Sequence, residues 1–346
     1  MKPLVKPRRL RHGDTIAVVS LSWGGLGDPE FIHKYRIAKE RLERDFGLRV
    51  IAMPNALAGS DFVYAHPELR ARDLMDAFAD DSVASVFCAI GGDDTIRLLP
   101  YIDFDVLRAH PKIFMGYSDS TINHFMMHKA GLVSFYGPSV MAELGEYGKI
   151  CDYTADAVRT LLFDAPVRHE VKPSPLWSDD LIPWDEANIG RTLTMKSDPR
   201  GYELLQGKGV VRGHILGGCI DVFMMASGTG IWPEVNDWRG AILLIETSED
   251  KPSPDFVRWA LRNLAAQGIL QVLSGMIVGK PQGEVYYEEY KDAILSVLAE
   301  AGRRDLPVLY NLNIGHAKPT GVLPLGTLAE IDCGRRSLTL VESAVL

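Results

Sequence analysis

The sequence predicts an α/β protein built on parallel sheets, and three observations point there. Short apolar runs alternate with amphipathic runs of helical period through the first half. A break rich in proline, acidic residues and tryptophan follows at about 165–202, and a second set of apolar runs and helices comes after it. Alternation of this kind is met most economically by βαβ units with helices on both faces of the sheet.

In order, residues 15–20 read as a buried strand, 29–45 as a helix, 48–51 as a strand and 67–79 as a second helix. A strand over 83–90, a helix start at 95–99, a strand at 113–115 and a helix over 121–129, stopped by Gly131, complete the first unit. After the break come strands at 210–215, 241–245, 276–278 and 308–309, helices at 255–266 and 290–301, and a hairpin over 328–341. At 346 residues the chain is long enough for two domains, and no internal repeat is apparent.

Composition narrows the function. With 47% hydrophobic and 24% charged residues the chain has the make-up of a soluble globular protein, and a net charge of −8 argues against nucleic acid or an anionic membrane as partner. The basic cluster Lys2, Lys6, Arg8, Arg9 and Arg11 is local and reads as a solvated amino-terminal arm. Four cysteines, Cys88, Cys151, Cys219 and Cys333, lack metal-type spacing and read as reduced structural thiols. The first thirty residues show no signal-peptide pattern and no apolar run approaches the ~20 residues of a span, so a cytoplasmic location is expected.

Parallel sheets hold their sites at the carboxyl ends of their strands. Two loops emerge there. In Gly116-Tyr117-Ser118-Asp119-Ser120-Thr121, a serine is presented on a tight turn between an apolar strand and a helix start, which suits a nucleophile beside N–H groups that can receive an oxyanion. The alternative is that Ser118, Asp119 and Ser120 only cap the helix. The other loop, Gly91-Gly92-Asp93-Asp94, can bring backbone N–H groups close to a reacting carbonyl. It is also similar to the Gly-Gly-Asp-Gly-Thr loop of lipid and nicotinamide-dinucleotide kinases, although Asp94 stands where those need glycine.

A serine nucleophile needs a base and an acid to orient that base. His316 lies in a loop between Gly315 and Pro319 after a short strand, and Glu246 ends the apolar strand 241–245, where a buried carboxylate demands a partner. A surface histidine and a solvated carboxylate are the plain alternatives. His124 and His128 have the i, i+4 spacing of a zinc pair, but Phe125 replaces the glutamate of the zinc-protease motif, so a packed helix face explains them better. Ser120 breaks the Gly-x-Ser-x-Gly elbow of α/β-hydrolases, and a serine at the elbow disfavours a glutamine amidotransferase.

Seven segments in one order bear a resemblance to a known family: Gly13 to Ser20, Ala89 to Asp94, Gly116 to Asp119, Tyr136-Gly137-Pro138, Leu216-Gly217-Gly218, Leu244 to Thr247 and Gly315-His316. They resemble the murein tetrapeptide LD-carboxypeptidases, a family that includes the microcin C self-immunity proteases. The resemblance implies a flavodoxin-like amino-terminal domain (1–165), a linker with an aromatic substrate loop (166–205) and a smaller, swivelling β/α carboxy-terminal domain (206–346), usually as a homodimer. It further implies a Ser118, Glu246, His316 triad and an oxyanion hole from the N–H groups of Gly92 and Asp119, with no metal or cofactor. Substrate contacts are expected at Gly91, Asp93, Trp177, Trp184 and Lys251. The loop Trp177 to Trp184 resembles the aromatic loop of the immunity branch more than the shorter loop of the murein recyclers, and tryptophan faces can stack on a nucleobase. An aminoacyl-nucleotide amide is therefore the expected substrate, with a murein tetrapeptide losing its terminal D-alanine in cell-wall recycling as the alternative. Cys219 departs from the pattern, standing where asparagine is expected.

Overall fold

The computed structural model describes residues 3–346; Lys2 of the basic cluster lies outside them. The first strands are β1 (Thr15–Val19), β2 (Arg49–Ala52), β3 (Val83–Cys88), β4 (Ile113–Gly116) and β5 (Ser134–Tyr136). Then follow β6 (His169–Val171), β7 (Leu176–Trp177), β8 (Lys196–Ser197), β9 (Glu203–Gln206), β10 (Val210–Cys219) and β11 (Ile242–Glu246). The last are β12 (Gly275–Gly279), β13 (Val308–Leu312), β14 (Leu323–Leu325), β15 (Leu328–Asp332) and β16 (Ser337–Leu340).

The first sheet has the order β14-β5-β4-β3-β1-β2, with all neighbours parallel except the β14–β5 pair. Both faces are covered, which is why its strands are apolar at successive positions. Ile16 and Val18 of β1 pack into one core with Ala38 and Leu42 of the helix Ile32–Phe46, while Ala17 and Val19 pack into the other with Leu74 and Phe78 of the helix Pro67–Ala79. The helix Ser120–Ala130 ends at Gly131 in the left-handed conformation, as its position in the sequence predicts.

The second sheet has eight strands in the order β6-β16-β15-β10-β11-β12-β13-β9. Its parallel centre, β10 to β13, is flanked by antiparallel pairs on both sides. β10 serves two partners: Val210–His214 run antiparallel to β15, and Ile215–Cys219 run parallel to β11. Between the sheets' main strands, the segment around the two tryptophans is irregular apart from the short β7–β8 pair and a single 3-10 turn at Glu186–Asn188.

Some features escape periodicity because they are too short to show one. These include β5 and the helices Ser60–Ala65 and Phe104–Ala109. β14 is the more consequential case, because it comes from the last quarter of the chain yet pairs with β5 and so extends the first sheet. The basic amino-terminal segment keeps Arg8, Arg9 and Arg11 exposed to solvent, and it is also tied to the body of the protein. Val5 bridges to Leu132, Lys6 pairs with Glu342 at 2.8 Å and Arg8 with Asp14 at 2.7 Å.

Candidate active site

β4 delivers the chain to Ser118, whose backbone sits in the left-handed region at φ 63, a conformation a non-glycine residue holds only under constraint. Ser118 is half-buried, and its N–H donates to the Tyr136 hydroxyl at 3.1 Å. The helix that follows has Asp119 at its cap position, yet no side-chain capping bond is made. The Asp119 carboxylate instead accepts from Ser22 Oγ at 2.7 Å and from the Thr95 N–H at 2.9 Å, tying the serine turn to the glycine loop. Burial pushes the Asp119 carboxyl up, against the bonds from Thr95 and Ser22 that favour its charged form.

The glycine loop lies directly against the serine. A Cβ on Gly91 would stand 2.9 Å from Ser118 Oγ, so only glycine permits this approach. Asp93 is exposed, whereas Asp94 pairs with buried Arg70 at 2.7 Å and with Arg97 at 2.9 Å. Arg70 also donates to the Leu21 and Ser22 carbonyls at 3.1 Å. These bonds hold the loop's shape. Among the described residues, the N–H groups of Gly92 and Asp119 have no protein acceptor.

The other half of the site comes from the second sheet. Glu246 ends β11 and is 1% exposed, answering the demand for partners with three bonds. His316 approaches it with Nδ1 at 2.7 Å from Oε2, its own N–H lies 3.2 Å from the same oxygen, and the Tyr136 hydroxyl donates to Oε1 at 2.5 Å. Gly315 is required beside it: φ is 81, and a Cβ would meet Glu246 Oε2 at 2.2 Å. His316 is buried rather than a surface-loop histidine, with the Tyr117 ring edge-on at 4.9 Å.

One chain of contacts therefore runs from the Ser118 N–H through Tyr136 and Glu246 to His316. The far nitrogen of the imidazole, Nε2, lies 2.8 Å from Glu249 Oε2, a residue on the exposed turn after β11. No hydrogen bond to Ser118 Oγ is present among the described residues. Burial works against a charged His316, but Glu246 and Glu249 outweigh it and hold the imidazole well above its ordinary range. The bond to His316 in turn lowers Glu249 to about 2, against burial.

Cys219 is buried beside these groups. It faces Glu246 across the parallel β10–β11 register, its N–H donates to Thr121 Oγ1 at 3.0 Å, and its Sγ lies 3.4 Å from Asp221 Oδ2. All four cysteines are free. His124 packs inside its helix face, bonded to Ser134 Oγ at 2.8 Å and to the Gly116 carbonyl at 2.9 Å, and burial lowers it to about 4.

The two tryptophans occupy different settings. Trp177 has Lys280 Nζ 4.7 Å and Lys196 Nζ 5.1 Å from its ring centre, and Lys280 is fully buried against Asp198 at 2.7 Å. Trp184 stacks on Trp23 with centroids 6.4 Å apart and planes 17° apart, and meets Phe31 edge-on at 6.2 Å. Lys251 lies on the turn after β11 at φ 52, and its N–H donates to the Ser248 carbonyl at 3.1 Å. The structure thus brings together Ser118, Gly91, Asp119, Glu246 and His316, and among the described residues neither Asp93 nor Lys251 makes a hydrogen bond or ion pair to that group. Sequence reasoning missed Tyr136 and Trp23 as site residues, and it read Glu249 as part of an exposed polar turn rather than as a partner of His316. Tyr136 was visible within a motif, but nothing local marks a tyrosine ending a short strand as a link between two sheets.

Comparison with known proteins gives the chain's family. Residues 16–137 match the LD-carboxypeptidase N-terminal domain and residues 212–331 the LD-carboxypeptidase C-terminal domain. The "probable murein peptide carboxypeptidase" of Bacillus subtilis is 28% identical over 348 residues, covering 98% of this chain and 95% of its own. Among solved structures, an MccF-like protein from Streptococcus pneumoniae in complex with AMP is 37% identical with a TM-score of 0.87, covering 95% of this chain and 98% of that one. The microcin C7 self-immunity protein in complex with aspartyl sulfamoyl adenosine is 25% identical with a TM-score of 0.85, covering 99% of this chain and 100% of that one. No helix among the described residues is long and apolar enough to cross a membrane. With both domain types present in order and filling most of its length, the chain belongs to the LD-carboxypeptidase family of serine peptidases.

Proposed function

We propose that Ser118 is the nucleophile, His316 its general base and Glu246 the carboxylate that orients and charge-stabilises the imidazole. The observation that carries this is the buried chain from the Ser118 N–H through Tyr136 and Glu246 to His316 Nδ1, which leaves Nε2 as the proton-accepting nitrogen. When Nε2 takes the hydroxyl proton, Ser118 Oγ attacks the amide carbonyl. The Gly92 and Asp119 N–H groups receive the oxyanion, His316 protonates the leaving amine, and water then hydrolyses the acyl-enzyme. Glu249 must first release Nε2, and its place on an exposed turn allows that movement.

The substrate we assign is a peptidyl or aminoacyl nucleotide carrying an amide. Trp184, supported by Trp23 and Phe31, offers an aromatic surface suited to a base, and two similar structures hold an adenine nucleotide or an aminoacyl adenosine analogue. Trp177, clamped by lysines, serves as the loop's anchor, and Gly91 as the close wall of the site. The test offers purified enzyme and its Ser118→Ala variant an aminoacyl sulfamoyl adenosine and a murein tetrapeptide, with products followed by mass spectrometry. Cleavage of the nucleotide amide that falls by several orders of magnitude in Ser118→Ala is expected. Release of D-alanine alone would overturn the nucleotide assignment, and undiminished hydrolysis by the variant would overturn the triad.

A further inference from the structure

The chain's departure at Cys219 has a geometric consequence. Sγ of Cys219, a carboxylate oxygen of Glu246 and a ring nitrogen of His316 all lie within 4.8 Å of one another, and all three residues are buried. The parallel register makes this so: Cys219 and Glu246 are paired positions on β10 and β11, so their side chains leave the sheet on the same face, and His316 docks onto that face.

Thiolate, imidazole and carboxylate are the ligand types zinc prefers. Bonds of about 2.0–2.3 Å in tetrahedral directions place such ligands about 3.3–3.5 Å apart. The cluster needs only small movements to reach those separations. Its surroundings also match a metal site, because Tyr136 holds Oε1 of Glu246 and leaves Oε2 toward the histidine. An asparagine at this position would offer neither a thiolate nor a comparable affinity for a soft cation.

We propose that Cys219, Glu246 and His316 form an inhibitory site for a thiophilic divalent cation, zinc in the first instance. On binding, the thiol proton passes to solvent and Nδ1 gives up its proton, to solvent when Nε2 is already protonated and to Nε2 when it is not, so the bound imidazole is neutral and no group changes oxidation state. The 2.7 Å Nδ1···Oε2 contact opens to admit the ion, so the carboxylate no longer orients the imidazole as a base. The inhibitory effect rests on the triad proposed above; the binding site does not.

The test therefore has two readouts. The intact protein is titrated with Co²⁺ and read for a thiolate-to-cobalt charge-transfer band, and amide hydrolysis is measured against buffered free Zn²⁺ for the natural chain and for Cys219→Asn, each relative to its own uninhibited rate. The expected results are a charge-transfer band, inhibition reversed by a chelator, and an inhibitory Zn²⁺ concentration raised at least about tenfold in Cys219→Asn. Absence of the band in the natural chain, or equal Zn²⁺ sensitivity in both proteins, would overturn the site. A band at full occupancy with hydrolysis undiminished would overturn the triad instead.

Discussion

Replacing Tyr136 by phenylalanine removes one oxygen and leaves the ring's shape, which makes it a sharp probe of the link between the two sheets. That oxygen accepts from the Ser118 N–H at 3.1 Å and donates to Glu246 at 2.5 Å, and the residue is fully buried. Losing a hydrogen bond to a buried carboxylate costs about 1.5–3 kcal/mol, and leaving the serine N–H unpaired adds about 1–3 kcal/mol. Both groups belong to the proposed catalytic chain, so part of that loss is expected in the transition state as well as in stability. If one bond's worth appears there, kcat falls roughly ten- to a hundredfold. KM should change little, since the hydroxyl faces the protein rather than substrate. The sign for pH also follows: a Glu246 without its Tyr136 donor attracts a proton on His316 more strongly, so the acid limb of the rate profile moves to higher pH. Steady-state kinetics across pH, run beside urea unfolding, separates these effects. A Tyr136→Phe variant that loses stability but keeps kcat within about twofold and its pH profile unchanged would refute the positioning role.

Glu249→Gln removes one of the two carboxylates that hold His316 protonated, so the acid limb of kcat/KM should move to lower pH; an unmoved limb would show that the 2.8 Å contact does not control the base. The linkage has a matching sign in stability. A raised His316 pKa contributes stability below the unfolded value, lost as pH rises through the folded one, so the variant should lose stability at low pH, readable by thermal melts at two pH values. Gly315→Ala, placed at φ 81 with its Cβ 2.2 Å from Glu246, should abolish measurable hydrolysis and lower stability by about 1–3 kcal/mol, as activity and Tm would report. Trp184→Ala should raise KM for an aminoacyl nucleotide by the equivalent of about 1–3 kcal/mol while sparing a murein tetrapeptide; equal losses on both would argue against base stacking.

Much of the site was legible before the fold was known because each principal residue carries a local signature. Ser118 follows an apolar strand and precedes a helix, Glu246 ends an apolar strand, and His316 follows Gly315 in a loop. The capping alternative for the serine turn could be resolved only in three dimensions, where the Asp119 carboxylate turns away from its own helix to Ser22 and Thr95. The roles of Tyr136 and Glu249 were hidden for a related reason. Tyr136 meets Glu246 across 110 positions of sequence, and no periodicity encodes such a pairing.

By itself the sequence determined the α/β alternation, the strand ends that carry the chemistry and the order of the motifs, because these depend on side-chain period and on residues a few positions apart. Only the tertiary structure decided that β14 would extend the first sheet, that one tyrosine would join the serine turn to the glutamate, and that a cysteine would lie within metal-binding reach of Glu246 and His316. These outcomes depend on how two sheets dock, and docking is set by the shape and burial of whole surfaces that no short stretch of residues contains.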